Sequence, residues 1–329
     1  MTTRLQLTLA CGDYDRTRPL MDGTVKPEGI DLIFLSLPGE ETFWRMIRFK
    51  EFHVSEMSLS SYLLTRSRGN NDFIAIPVFV SRRFRHSSIY IHAGAGIKRP
   101  LDLIGKRVGV PEYQVTAAVW ARGILQHEYG VSPEQMEWKT GGLEQPGREE
   151  KIPLSLPPSV RLSSIPEEKT LSKMLEMGEL DALISPRTPS SYKGGKERVK
   201  RLFEDYRREE TEYYLRTRIF PIMHTVVIRS DIYNSHPWVA QSLYKAFSLA
   251  RDICCQHLAN PMKFSLPWLE CEVEAIKGIL GEDLWPYGLE ANEDVLKTFI
   301  HYSAEQGLIE KRIEAKALFA ENTLVDYRI

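Results

Sequence analysis

The chain has 329 residues, of which 43% are apolar, 10% aromatic and 26% charged, and its 43 Lys+Arg balance 44 Asp+Glu to a formal net charge of −1. These proportions exclude a disordered, collagen-like or disulfide-scaffold chain, and the even charge excludes the broad basic field of a non-specific nucleic-acid binder. The length exceeds the ~250–300 residues at which a single core stops growing, so two compact units are expected.

Taken in order, residues 5–10 alternate apolar with polar side chains and form a first β-strand. This run is too short and too polar for the ~7–15-residue core of a secretion signal, and no stretch reaches the ~18 apolar residues of a membrane span. Cys11, Cys254, Cys255 and Cys271 make no Cys-x-x-Cys pair and no zinc-finger spacing, which fits a reducing compartment and a cytoplasmic protein. Further strands are expected at 30–37, 54–57, 73–80, 88–92, 107–110, 136–139, 182–185 and 225–229. Between them, apolar residues at three- and four-residue spacing predict helices at 40–49, 60–66, 114–129, 170–177 and 197–216, with Gly130 and Gly178 placed as C-caps. The mixed charges of 193–218, including Glu204, Asp205, Glu209, Glu210 and Glu212, mark a solvated face.

After residue 229 the strands stop. Helices are expected at 237–258, 266–280 and 293–305, with a last helical segment near 310–319. Five prolines between 144 and 166 are too many for either regular element, so that stretch is an ordered excursion or flap. Trp238, Tyr244, Phe247 and the vicinal Cys254 and Cys255 lie on an amphipathic helix, where core or oligomer packing explains them. Alternating strands and helices give an α/β protein. Two β-rich crossings, 88–92 and 225–229, would run side by side as a hinge, so that one lobe comprises 1–92 with 226–329 and the other 93–225. Such an architecture places its ligand at the C-terminal ends of strands.

Several strings carry a family likeness: Ala10-Cys11-Gly12-Asp13-Tyr14-Asp15-Arg16-Thr17-Arg18-Pro19-Leu20, Glu56-Met57-Ser58-Leu59-Ser60-Ser61-Tyr62, Phe84-Arg85-His86-Ser87, Gly109-Val110-Pro111-Glu112-Tyr113 with Thr116-Ala117, and Phe220-Pro221-Ile222-Met223-His224-Thr225. Together they resemble the 4,5-dihydroxyphthalate decarboxylase family from the first strand to Trp238. The resemblance implies a two-lobed, type II periplasmic-binding-protein-like fold used by a cytoplasmic enzyme that removes one carboxylate from an aromatic diacid. It is specific about family and weaker about substrate.

Cys11 to Arg18 follow the first strand and place a thiol, two carboxylates, a phenol and two guanidinium groups at its rim. Asp13 is a candidate acid/base or metal ligand; the alternative is a turn in which Asp13 and Asp15 pair with Arg16 and Arg18. Cys11 reads as a small buried residue rather than a nucleophile. Ser58, Ser60 and Ser61 stand where a strand gives way to a helix; one of them caps it, and Ser60 is the candidate for carboxylate contact. Arg82, Arg83, Arg85 and His86 follow an apolar strand. Arginine forks match carboxylates, so Arg83 or Arg85 is assigned to the substrate, Arg82 to the surface and His86 to a site or a structural hydrogen bond.

At the strand-turn-helix from Gly109 to Ala117, Thr116 would donate to an anion at the helix start, while Glu112 is a candidate base or cation ligand. Arg122 is expected to point outward, and Arg187, at the end of the 182–185 strand, to close on the substrate. His224 would lie near His86 if the two crossings pair.

For such a substrate, a hydroxyl para to the departing carboxylate pushes electron density onto the ring carbon, a base takes the phenolic proton, and an acid protonates that carbon as carbon dioxide leaves. His86, His224, Glu112 and Asp13 are the candidates for these proton steps. No organic cofactor is needed; in an alternative version the same four residues hold a divalent metal. The expected partner is a small aromatic dicarboxylate, with no nucleic acid or membrane, and a homo-oligomer is left open. The competing readings are a non-catalytic carboxylate-binding module and a lyase similar to chorismate dehydratase.

Overall fold

A computed structural model of the protein describes residues 4–193 and 197–324. Residues 194–196 of the expected mixed-charge stretch and both ends of the expected first lobe lie outside these. Eleven strands occur among the described residues: β1 (Leu5–Cys11), β2 (Ile30–Ser36), β3 (Val54–Ser58), β4 (Phe73–Arg82), β5 (Ile89–His92), β6 (Arg107–Val110), β7 (Glu137–Thr140), β8 (Arg161–Ser164), β9 (Ala182–Ile184), β10 (Val199–Arg201) and β11 (Ile222–Arg229). They make a five-stranded sheet ordered β2-β1-β3-β11-β4 and a six-stranded sheet ordered β10-β5-β9-β6-β7-β8.

In the first sheet β1 runs parallel to β2 and β3, while β11 is antiparallel to both β3 and β4. Leu7 and Leu9 of β1 are buried, as their alternation requires. All five residues of β3 are buried, which is the expected state of a strand covered on both faces. In the second sheet β6 is parallel to β7 and β9, β7 is parallel to β8, and β5 is antiparallel to β9 and β10. Leu143, Ile165, Leu171, Leu175, Leu180 and Leu183 form part of its core. Gly109 is needed there, because a Cβ would stand 2.8 Å from a methyl of Leu180.

Two compact units result. Within the described residues, the first contains the chain through Arg82, Ile222–Lys297, and the segment from Ile313 onward; the second contains Arg83–Pro221 and Thr298–Arg312. The expected boundaries at 92/93 and 225/226 differ from these for a visible reason. Strand β4 continues to Arg82 because Ile222 pairs with it, and β5 belongs to the second sheet. The two crossings belong to different sheets: β5 pairs with β9 and β10, and β11 with β3 and β4. Segment 298–312 joins the second unit through side chains. Phe299 and Tyr302 pack on Trp120, and the Tyr302 ring occupies the space where Gly123 lacks a Cβ.

Other expectations need correction. Residues 199–201 form a strand, and the helix expected from 197 begins only at Tyr206, with Asp205 accepting from the Arg208 N–H as its N-cap. The proline-rich excursion contains β8, and the expected helix near 310–319 is a short 3-10 turn at Ala315–Leu318. The helices Trp238–Leu258 and Glu293–Glu305 lie where the periodicity placed them. No helix among the described residues is long and apolar enough to cross a membrane.

Candidate functional site

A carboxylate in the middle of a fully buried strand must find partners, since an unpaired buried charge is strongly disfavoured. Glu56 is such a residue, with no solvent exposure. The β3–β11 register aligns Glu56 with Val226 and Ser58 with His224, so His224 sits two residues along from the Glu56 partner and projects from the same face. The His224 Nδ1 lies 2.6 Å from Glu56 Oε1. The same oxygen accepts the Tyr14 hydroxyl at 2.7 Å, and Oε2 accepts the Gly12 backbone N–H at 2.8 Å and the Cys11 thiol at 3.6 Å. Cys11, Gly12 and Tyr14 arrive from the end of β1, whose Ala10 is paired with Ser55 next to Glu56.

Three details fix this cluster. The pairing of β11 with β4 slips on both sides of His224, and such irregularities re-aim a side chain. The Phe43 ring meets the imidazole edge-on at 4.8 Å between centroids. A Cβ on Gly12 would stand 2.8 Å from the Tyr14 ring, so only glycine lets that ring fold back to Glu56. Beside them Arg16 donates from Nε to the Val80 carbonyl at 2.8 Å and lies over the rings of Tyr14 and Trp285, at 4.4 and 4.1 Å from their centroids.

Burial pushes the Glu56 carboxyl up, but the hydrogen bond and charge of His224, with donors from Gly12 and Tyr14, outweigh it and hold the carboxyl below its ordinary value. Burial and then the Glu56 charge push the Tyr14 phenol and the Cys11 thiol well up, so both stay protonated as donors. The His224 side chain retains 23% of its exposure. With Nδ1 engaged by Glu56, Nε2 is the nitrogen that can exchange a proton with a bound molecule. A buried carboxylate behind an oriented, partly exposed imidazole is an arrangement that can do acid/base work.

Of the four residues expected to carry protons, only His224 belongs to this cluster. Asp13 is exposed and its carboxylate is taken by Arg18 at 2.7 and 2.6 Å, while Asp15 pairs with Arg16. The turn reading of that loop describes these two aspartates. Cys11 is buried, as expected. Ser58 is the N-cap, accepting from Ser61 N at 3.5 Å, and Ser60 is buried in the first turn of the helix Leu59–Ser67.

The other candidates belong to the second unit. His86 is buried in a cage of Tyr129, Phe203 and Tyr213, and neither ring nitrogen has a hydrogen-bond partner among the described residues. Burial, reinforced by Arg216, pulls it down to about 4. At neutral pH it is held there as a neutral imidazole. Arg82, assigned to the surface, is buried and donates to the Pro286 carbonyl at 2.7 Å within the first unit; Arg83 is exposed. Arg85 is buried, donates to Ser88 Oγ at 3.3 Å, and is pulled down to about 9 by burial and then Arg83.

Glu112, expected as a base or cation ligand, is buried and committed to Arg148 at 2.9 and 2.5 Å and to the Lys151 ammonium. Those cations come from the proline-rich excursion, whose Glu150 also accepts the Tyr113 N–H and is pushed up to about 7 by burial. Thr116 is buried at the helix start, and Arg187 is exposed. Arg122 does not point outward. It is buried, stacked 3.7 Å above Tyr113, and donates to Gln306 at 2.8 Å and the Tyr113 carbonyl at 2.6 Å.

The four donors expected to hold a metal stand in different surroundings. Asp13 and Glu112 are engaged by cations and His86 is enclosed by aromatic rings, while His224 is held by Glu56 through Nδ1 alone. Sequence reasoning missed Glu56 as chemistry and gave the Tyr14 phenol of the rim loop no role. The signal was present: an acid within the otherwise uncharged strand run Val54-Ser55-Glu56-Met57-Ser58.

No family model matches the chain. A 4,5-dihydroxyphthalate decarboxylase from Comamonas testosteroni is 42% identical over 329 residues, spanning 99% of this chain and 100% of that one. Another protein of that name, from Pseudomonas putida, is 46% identical over 211 residues, 64% of this chain and 82% of that one. Among solved structures, the periplasmic aliphatic sulphonate binding protein SsuA from Escherichia coli matches with a TM-score of 0.53 at 12% identity, over 98% of this chain and 99% of that chain. At that identity the match shows a periplasmic-binding-protein-like fold and nothing about the ligand.

Proposed function

The chain belongs to the 4,5-dihydroxyphthalate decarboxylase family, and from that membership we propose that it converts 4,5-dihydroxyphthalate to 3,4-dihydroxybenzoate with release of carbon dioxide, in aromatic-compound degradation. The observation that carries the chemistry is the fully buried Glu56 carboxylate bound to Nδ1 of a partly exposed His224.

In this reading His224 Nε2 takes the phenolic proton para to the departing carboxylate, electron density moves onto the ring carbon, and the imidazolium returns a proton to that carbon as carbon dioxide leaves. Glu56 orients the ring and stabilises the imidazolium, as a buried carboxylate does behind a catalytic histidine. Tyr14 and Gly12 keep Glu56 ionised. The retained carboxylate is assigned to Arg16 and to the helix start that follows β3, where Ser60 lies in the first turn. No organic cofactor is required, and no step is assigned to a metal. We place the reaction in the cytoplasm, in keeping with four unbridged cysteines.

The test is incubation of the purified protein with 4,5-dihydroxyphthalate. Stoichiometric carbon dioxide and 3,4-dihydroxybenzoate are expected, and their suppression in His224→Asn. Substrate recovered unchanged but bound tightly in calorimetry would replace the enzyme by a carboxylate-binding protein.

A further inference from the structure

Away from the Glu56 cluster, a second group of titratable side chains converges within the second unit. His127 stands in the last turn of the helix Thr116–Tyr129, and His301 and Glu305 lie four residues apart on the helix Glu293–Glu305, hence on one face. His127 Nε2 is 2.6 Å from Glu305 Oε2, and His301 Nε2 is 3.1 Å from Glu305 Oε1. The three ligand atoms lie within 4.8 Å of one another. Among the described residues this is the one group of three or more His, Cys, Asp or Glu side chains so arranged.

The backbone beneath is held rigidly. Tyr302 fills the Cβ space of Gly123, Trp120 packs on Phe299 at 5.3 Å, and Arg122 donates to the Gln306 side chain, whose amide in turn donates to the Val119 carbonyl. His127 is stacked on Tyr302 at 4.8 Å and 17°. Two imidazoles and a carboxylate on packed helices are a preorganised ligand set, since little side-chain freedom remains to be lost on binding.

We propose that His127, His301 and Glu305 bind a divalent metal of the zinc class and that the ion clasps segment 298–312 to the helix Thr116–Tyr129. Ligands about 2.0–2.2 Å from one zinc lie within about 4 Å of each other, so closing the present spread needs side-chain shifts of about an ångström. Two imidazoles and one carboxylate favour zinc, cobalt, nickel or copper over magnesium and calcium. Each imidazole would bind through Nε2 as the tautomer that carries its proton on Nδ1. At His301 the Arg312 guanidinium donates to Nδ1 at 2.8 Å, and this exposed arginine must swing away. The other coordination positions face solvent and take water, because His127, His301 and Glu305 are each about a third exposed.

The test is calorimetric titration of the full-length protein with zinc chloride, alongside hydrogen exchange of residues 298–312. One equivalent of zinc should bind, with affinity falling at least about tenfold in His127→Ala, His301→Ala and Glu305→Gln, unchanged in Cys271→Ser, and raised in Arg312→Ala. Exchange across 298–312 should slow on zinc addition. The proposal is overturned by absence of binding at about 1 mM zinc, by undiminished binding in a His127→Ala/His301→Ala protein, or by unchanged exchange in the zinc-loaded wild type.

Discussion

His224 and Glu56 lie on neighbouring antiparallel strands, two residues out of direct register, with Nδ1 2.6 Å from a carboxylate oxygen that no solvent reaches. Glu56 cannot leave this arrangement without becoming an unpaired buried charge, so the imidazole is held with one nitrogen committed and the other available. The pair belongs to one sheet, and the strands that carry it, β3 and β11, are far apart in sequence.

Replacing His224 by Asn keeps a hydrogen bond to Glu56 and removes the transferable proton. The rate of carbon dioxide release should fall about 10²–10⁴-fold with the circular dichroism spectrum unchanged. A variant with wild-type kcat would remove His224 from the mechanism.

Tyr14→Phe deletes one donor to ionised Glu56. Loss of a hydrogen bond to the charged form raises a carboxyl pKa, so the acidic limb of the pH–rate profile should move to higher pH, with kcat lowered by about tenfold. A purely structural role for Tyr14 would reduce thermal stability and leave that limb in place.

His86 gives a pH dependence of stability with a definite sign. Its folded pKa is depressed to about 4 from 6.5, so above pH 6.5 the residue is neutral in both states and costs nothing. As the pH falls from 6.5 towards 4, the unfolded chain takes up a proton that the folded cage resists, and up to about 3 kcal/mol of stability is lost. Urea unfolding at neutral and acidic pH should show a smaller loss for His86→Phe than for the wild type. Equal losses would show that the cage does not govern this titration.

Gly123→Ala tests the docking of segment 298–312. The added Cβ would lie 2.0 Å from the Tyr302 ring, so the ring or the helix must shift. A destabilisation of about 1–3 kcal/mol is expected, measured as a lower unfolding midpoint. An unchanged midpoint would mean that segment 298–312 adjusts without loss.

What the residues themselves determined is considerable. The alternation of Leu5, Leu7 and Leu9 and the apolar run from Phe73 fix β1 and β4, because a strand's two-residue period is visible locally. The helix Glu293–Glu305 is legible from its spacing for the same reason. Hidden were the polar strands β8 and β10, whose residues pair by backbone hydrogen bonds that any side chain allows.

The site divides in the same way. Sequence supplied the family, the rim loop after β1 and His224, since chemically reactive residues and loop positions are readable from order alone. Only the tertiary structure decided which of them meet. Glu56 was silent in a line of text, because burial and partners are set by strands distant along the chain: β11 brings His224 to it, and β1 brings Tyr14 and Gly12. The same long-range pairing gave Glu112 to the proline-rich excursion, turned Arg122 inward onto Gln306, and enclosed His86 among aromatic rings. A side chain's charge and reach are local properties. Its desolvation and its neighbours depend on the register of strands and the packing of helices, which no local pattern records.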